Sequence, residues 1–201
     1  MRKIAVVSLL LLSGCVTTDR HGNPIAEESE RPEKLSRLGR AHAQVEARID
    51  KMKYQHGKAL LRTMQELIGL KELALEPIAK ALPTADSRTR ANLVYLLGFM
   101  GGNAAHQLIV SRLKDDSEVV RYEAAAALIT LGDLSAVPVL ITFMDSGNRR
   151  LRFKSHQVLR ANTRQDFGYD FNAASEGRSR AIARWRTWWG DQRGELIYGK
   201  G

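Results

Sequence analysis

The sequence predicts an all-α protein: a short solenoid of stacked helix pairs, preceded by a long N-terminal helix and closed by a tryptophan-rich C-terminal helix. Three observations carry this reading. From residue 33 to about 162, apolar residues recur at helical spacing and no stretch alternates as a strand would. A period of 31 residues sets Arg90, Arg121 and Arg152 at one position in three copies, with Gly101, Gly132 and Thr163 eleven residues later in each. Finally, 44% hydrophobic and 26% charged residues over 201 positions suit one ordinary globular domain with appendages. That excludes a wholly disordered chain and an integral protein with many spans.

Residues 1–14 read as a secretory signal peptide. Arg2 and Lys3 form a positive start, and Ile4 to Leu12 is an apolar run broken only by Ser8. Nine residues of helix reach about 14 Å, half of a bilayer core, so this run does not span a membrane. Ser13 and Gly14 follow, then Cys15, the chain's single cysteine. Leu12-Ser13-Gly14-Cys15 resembles the lipobox of bacterial lipoproteins. The resemblance implies cleavage between Gly14 and Cys15 and acylation of Cys15 as the lipidation site. More than one acyl chain makes a stable membrane anchor. Val16 stands where Asp resembles an inner-membrane retention signal, which favours the outer membrane. The expected location is the cell envelope, lipid-anchored on the periplasmic side. Residues 15–32 then form a lipidated flexible tether, polar and punctuated by Gly22, Pro24 and Pro32. Its free part reaches at most roughly 55 Å.

Residues 33–70 form an N-terminal helical segment. Leu35, Leu38, His42, Val45, Ile49 and Met52 are spaced 3-4-3-4 and make one narrow stripe. Two arrangements fit it: a helix laid along the body of the domain, or a short dimeric coiled coil. Leu60, Leu61, Met64, Leu67 and Ile68 continue as a wider stripe, with Gly57 placed to bend or divide the helix.

Residues 71–163 carry the repeats. Each full copy is a helix of about 14 residues, a Gly-containing turn and a second helix of about 10. LALEPIAKALP supplies the second helix of an earlier, degenerate copy, with Pro77 echoing Pro138 at a first-turn position. Small residues Ala124 to Ala127 let the first helix lie close to its neighbours. The third copy has Asn162-Thr163 where Gly-Asp is expected and lacks an obvious second helix, so it is expected to cap the stack. The phrase DSEVVRYEAAAALITLG, residues 116–132, resembles the HEAT repeat in its short bacterial form, related to phycobilin lyase repeats. The resemblance implies that Asp116, Arg121 and Arg90 form a structural ladder between neighbouring repeats.

Residues 164–201 form a basic, tryptophan-rich capping segment. Asp166, Gly168, Asp170 and Asn172 alternate like part of a calcium loop, but Phe171 and Gly177 occupy the sixth and twelfth places where Gly and Glu are required. The DFGYD…WRTWW arrangement resembles the closing segment of many bacterial HEAT-repeat proteins. Ala181, Trp185, Trp188 and Trp189 share one side of an amphipathic helix. They suit either a cover for the open end of the stack or a membrane-surface element.

Of the net charge of +9, seven units lie in residues 146–201 and none in residues 15–145. Candidate anion-binding residues are therefore Arg149, Arg150, Arg152, Arg184 and Arg186, facing anionic lipid or polysaccharide. One cysteine excludes an internal disulfide and a cysteine zinc cluster, and the scattered histidines show no metal spacing, so no metal or cofactor is expected. No nucleophile elbow, Walker loop or dinucleotide fingerprint occurs. The expected function is a non-enzymatic, protein-binding adaptor or scaffold. In HEAT-like stacks the second helices line the binding face, which makes Gln107, Ser111, Lys114 and Thr142 the candidate protein contacts. Binding of envelope polyanions through the basic end is the alternative, and a lyase-like activity is a third. Export argues against nucleic acid as a partner.

Overall fold

The computed structural model describes the backbone of residues 27–198 and the side chains of residues 36–193. The expected signal peptide, Cys15 and most of the expected tether lie outside the described residues. Of the described residues, those up to 40 belong to one compact unit and those from 41 on to a second.

The described part of the first unit is helical and belongs to α1 (Glu27–Met52). The helix therefore begins six residues before the expected boundary at 33.

In the second unit, α1 buries Val45, Ile49 and Met52, half of the 3-4 stripe. A short turn ends it, and Gly57, at φ +52°, starts α2 (Gly57–Gly69). The N-terminal segment is thus two helices. α3 (Glu72–Ala81) follows directly. Pro77 sits inside this helix, not in its first turn, because the helix starts earlier than the echo of Pro138 implies. Next come α4 (Ser87–Met100), α5 (Gly102–Ser111), α6 (Glu118–Thr130), α7 (Val137–Phe143), α8 (Arg149–Thr163) and α9 (Ser175–Tyr198). Asp86 caps α4 by accepting from the Arg88 and Thr89 N–H groups, and Asn148 caps α8 in the same way. Pro138 does lie in the first turn of α7.

In chain order these helices follow as α2/α3, α4/α5, α6/α7 and α8/α9, with α4 packed on α5 and α6 on α7. The first helices form one layer, α2 against α4, α4 against α6 and α6 against α8. The repeat therefore opens at α2, earlier than the expected boundary at 71. The third copy also has its second helix. It is α9, displaced by the connection 164–174, which breaks the 31-residue period. The core between the layers is aliphatic: Leu93, Leu96, Leu97, Leu128, Ile129 and Leu140 are fully buried, each stabilising by about 2 kcal/mol. Small residues bring α4 and α6 together, since a Cβ on Gly98 would stand 3.0 Å from that of Ala127.

α9 covers the end of the stack by packing on α7. Trp185 is fully buried and Trp189 nearly so, with Phe167 edge-on to Trp185 at 5.0 Å and Trp188 perpendicular to it at 5.6 Å. The tryptophan side faces inward and is not free to lie on a bilayer. Tyr169, in the connecting loop, donates its hydroxyl hydrogen to the Met144 carbonyl; burial pushes this phenol up to about 12.

Candidate functional site

The repeat arginines have one job in all three copies: each donates to the carbonyls of the loop that leads into its own helix. Arg90 Nη1 reaches Ala85 O at 2.9 Å, Arg121 Nη1 reaches Asp115 O at 2.8 Å, and Arg152 Nη1 reaches Ser146 O at 2.9 Å. The interrepeat pair differs from the one the resemblance implies. The main partner of Arg90 is Asp115, whose side chain is 4% exposed, and Asp116, at 88% exposed, is an outer contact.

The basic C-terminal cluster does not assemble as one anion site. Arg152 also donates to Phe171 O at 3.1 Å, so its guanidinium is enclosed by carbonyls. Arg184 donates twice to Phe167 O, at 3.1 and 2.7 Å. Arg149 donates to Asn172 Oδ1 at 2.6 Å and lies over the Phe171 ring. These three hold the 164–174 connection in place. Arg150 and Arg186 are exposed, on different helices. The calcium-like alternation is also taken up internally. Asp166 faces His156 and Arg160, at 3.4 and 3.5 Å, while Asp170 caps its own turn at Asn172 N. Among the described residues no group of three or more His, Cys, Asp or Glu could hold a metal ion.

His156 is buried between Tyr169 and Trp185. Desolvation lowers its pKa, and the attraction of Asp166 offsets only part of that. The neighbouring Ser155 hydroxyl is buried with no hydrogen-bond partner among the described residues.

Gln107, Ser111, Lys114 and Thr142 are exposed, in or just after the second helices α5 and α7. The Ser111 and Thr142 hydroxyls donate to carbonyls of their own helices, Leu108 O at 2.6 Å and Pro138 O at 3.0 Å. A concavity lies elsewhere, across the first helices. A groove of about 590 Å³ runs over α2, α4, α6 and α8, lined among others by Leu61, Tyr95, Val119 and Leu151. A second recess of about 220 Å³ continues it past Phe99 and shares Tyr95, Glu123 and Lys154 with it. None of the four expected contacts lines either one.

The rim of this groove is apolar to an unusual degree for a solvent face. Leu61 is 59% exposed, Tyr95 45%, Phe99 60% and Val119 43%. Leu61 is thus a correction to the wide stripe of α2, in which Met64 and Leu67 are buried. Singly exposed apolar residues are ordinary, but a contiguous set marks an interaction surface. Tyr95 and Phe99 stack at 4.8 Å on the side of α4 away from Leu93 and Leu97. That second apolar pair, four residues apart on a helix whose core face is already supplied, is the sequence signal for the groove. Its charged residues are Arg88, Arg150 and Lys154 against the one carboxylate of Glu123. Lys154 pairs with Glu123 at 3.2 Å. Arg88 is bound by His56 Nε2 at 3.0 Å and by the Met52 and Gln55 carbonyls.

The profile of the HEAT repeats matches residues 58–160, half of the chain and all of the stack from α2 into α8. The chain belongs to the HEAT-repeat family. Its fold, an all-α solenoid, is the one that family builds. HEAT repeats are commonly protein-interaction scaffolds. A comparison with curated proteins finds no match. No described helix of this HEAT-repeat chain is long and apolar enough to cross a membrane.

Proposed function

We propose that this HEAT-repeat protein is a lipid-anchored, non-enzymatic adaptor of the cell envelope that docks a protein partner on its first-helix face. The observation that carries the reading is the continuous groove over four first helices, with aromatic and aliphatic side chains held at its rim in contact with water. A surface of that kind loses free energy to water until something covers it. The anchor rests on Leu12-Ser13-Gly14-Cys15 behind a basic start and an apolar run, and Val16 favours the outer membrane over the inner. Acylation at Cys15 confines the protein to a surface, and the segment after it lets the stack reach a partner nearby.

Two measurements test the reading. Detergent partitioning of the full chain should move from the detergent phase to the aqueous phase on Cys15→Ser. Equal partitioning of the two rejects the anchor. In-cell crosslinking from a photoreactive residue at Phe99, with Cys15 intact, should capture a defined protein; recovery of lipid or polysaccharide alone rejects the adaptor. The polyanion alternative would rest on Arg150 and Arg186, and it requires binding that falls steeply with salt.

A further inference from the structure

The first-helix groove has a charge signature as well as an apolar one, and the two together specify an occupant. Resting on the adaptor reading, we infer that the groove receives an acidic amphipathic segment of the partner protein, one whose apolar residues cover Tyr95 and Phe99 while a carboxylate meets Arg150. Four features of the groove lead there. Its length crosses four adjacent helices, three intervals of about 8–10 Å, so it spans roughly 25–30 Å. That is the length of a peptide of several helical turns and far more than a small ligand needs. Its charge is positive on balance. Glu123 is neutralised by Lys154, and the Arg88 charge is held in place by carbonyls and His56. Arg150, at the opposite wall from Arg88, is exposed and its guanidinium has no partner among the described residues. An arginine placed beside apolar rim residues favours a carboxylate in bidentate contact. Lastly, Ser87, Asn92 and Asn148 add neutral polar groups to the groove lining, so an amphipathic segment meets polar as well as apolar surface there.

The test is selection of displayed random peptides, long enough for about three helical turns, on the full-length acylated chain in detergent micelles. The enriched peptides should pair aromatic or aliphatic residues with Asp or Glu one turn away. The best of them, resynthesised, should bind at least about tenfold more weakly to Tyr95→Ser/Phe99→Ser and about fivefold more weakly to Arg150→Glu. Binding should be unchanged on Arg186→Glu and on Thr142→Ala. All the substituted positions are exposed, and thermal melts matching the wild type verify that the variants fold. Enrichment of neutral or basic peptides, or of none, overturns the inference. Peptides that bind but lose affinity only on Gln107→Ala or Thr142→Ala overturn it while leaving an adaptor that uses the second-helix face. A doubled mass in solution that returns to monomer on Phe99→Ser makes a second copy the occupant. Binding to anionic vesicles, lost with the same groove variants, makes it lipid. Either result overturns the inference. The crosslinking experiment above judges the adaptor itself, so the two can fail separately.

Discussion

Arg90 of one helix pair and Asp115 of the next are joined by two parallel hydrogen bonds, Nε to Oδ2 at 2.9 Å and Nη2 to Oδ1 at 2.7 Å. Burial works to raise the Asp115 carboxyl. The Arg90 fork and the Ser117 N–H outweigh it and hold the carboxyl down at about 2. The pair fixes the loop between α5 and α6 to the side of α4, and with it the spacing of the stack.

Arg90→Ala leaves a buried carboxylate without its cation and should cost about 3 kcal/mol in denaturant unfolding. Asp116→Ala, at the exposed outer contact, should cost under about 1 kcal/mol. A depressed carboxyl contributes stability that is present above its unfolded value and lost as pH falls through the folded one. The stability difference between wild type and Asp115→Asn should therefore shrink as pH is lowered from about 4 toward 2. Equal effects of Arg90→Ala and Asp116→Ala would contradict the assignment.

His156 acts in a different pH window. Its folded pKa is lowered, with burial as the first cause, so the neutral ring is the form the fold accepts. Its contribution is full above the unfolded value near 6.5 and declines as pH falls through the lower, folded value. The melting temperature should drop between pH 7.5 and pH 5, before the carboxylates titrate, and His156→Phe should flatten that part of the curve.

Gly98 and Gly190 should respond in opposite directions to the same substitution. A methyl group on Gly98 meets the Cβ of Ala127 at 3.0 Å, and that atom is attached to a packed helix and cannot rotate away. Gly98→Ala should destabilise by about 1 kcal/mol or more. Gly190 lies within α9 with nothing within 4 Å, so Gly190→Ala should stabilise by about 0.5–1 kcal/mol through helix propensity. Thermal melts of the two variants check this directly.

Arg152→Ala and Arg150→Ala separate structural from surface arginines. The first removes donors to three carbonyls that tie the α8 cap to the 164–174 connection, and should lower the melting temperature by several degrees. The second touches only solvent and should leave it unchanged. Trp185→Ala, at a fully buried position, should cost about 3–5 kcal/mol and release α9 from α7, seen as increased hydrogen exchange in both helices.

Local pattern was enough for much of this. The 3.6-residue spacing of apolar positions and the 31-residue period are properties of consecutive residues, and they specified helices, repeat and stacking without knowledge of the fold. The long connection 164–174 hid the last pair because a period is invisible once its register slips. Pro77 misled for a related reason: its helix started upstream, where no strong cap marks the boundary.

The candidate site was less legible. Which side of a stack is left uncovered depends on how far neighbouring helices tilt and close, and that follows from contacts such as Gly98 against Ala127, between residues 29 positions apart. Charge is similar: the sequence located the surplus arginines in residues 146–201, but only the packed chain decided that Arg149, Arg152 and Arg184 spend their donors on nearby acceptors, leaving Arg150 at the groove. Sequence alone determined the helical class, the central 31-residue repeat and the lipobox-like start. Tertiary structure decided which faces remain open to a partner, because exposure is a property of what packs against a residue and not of the residue itself.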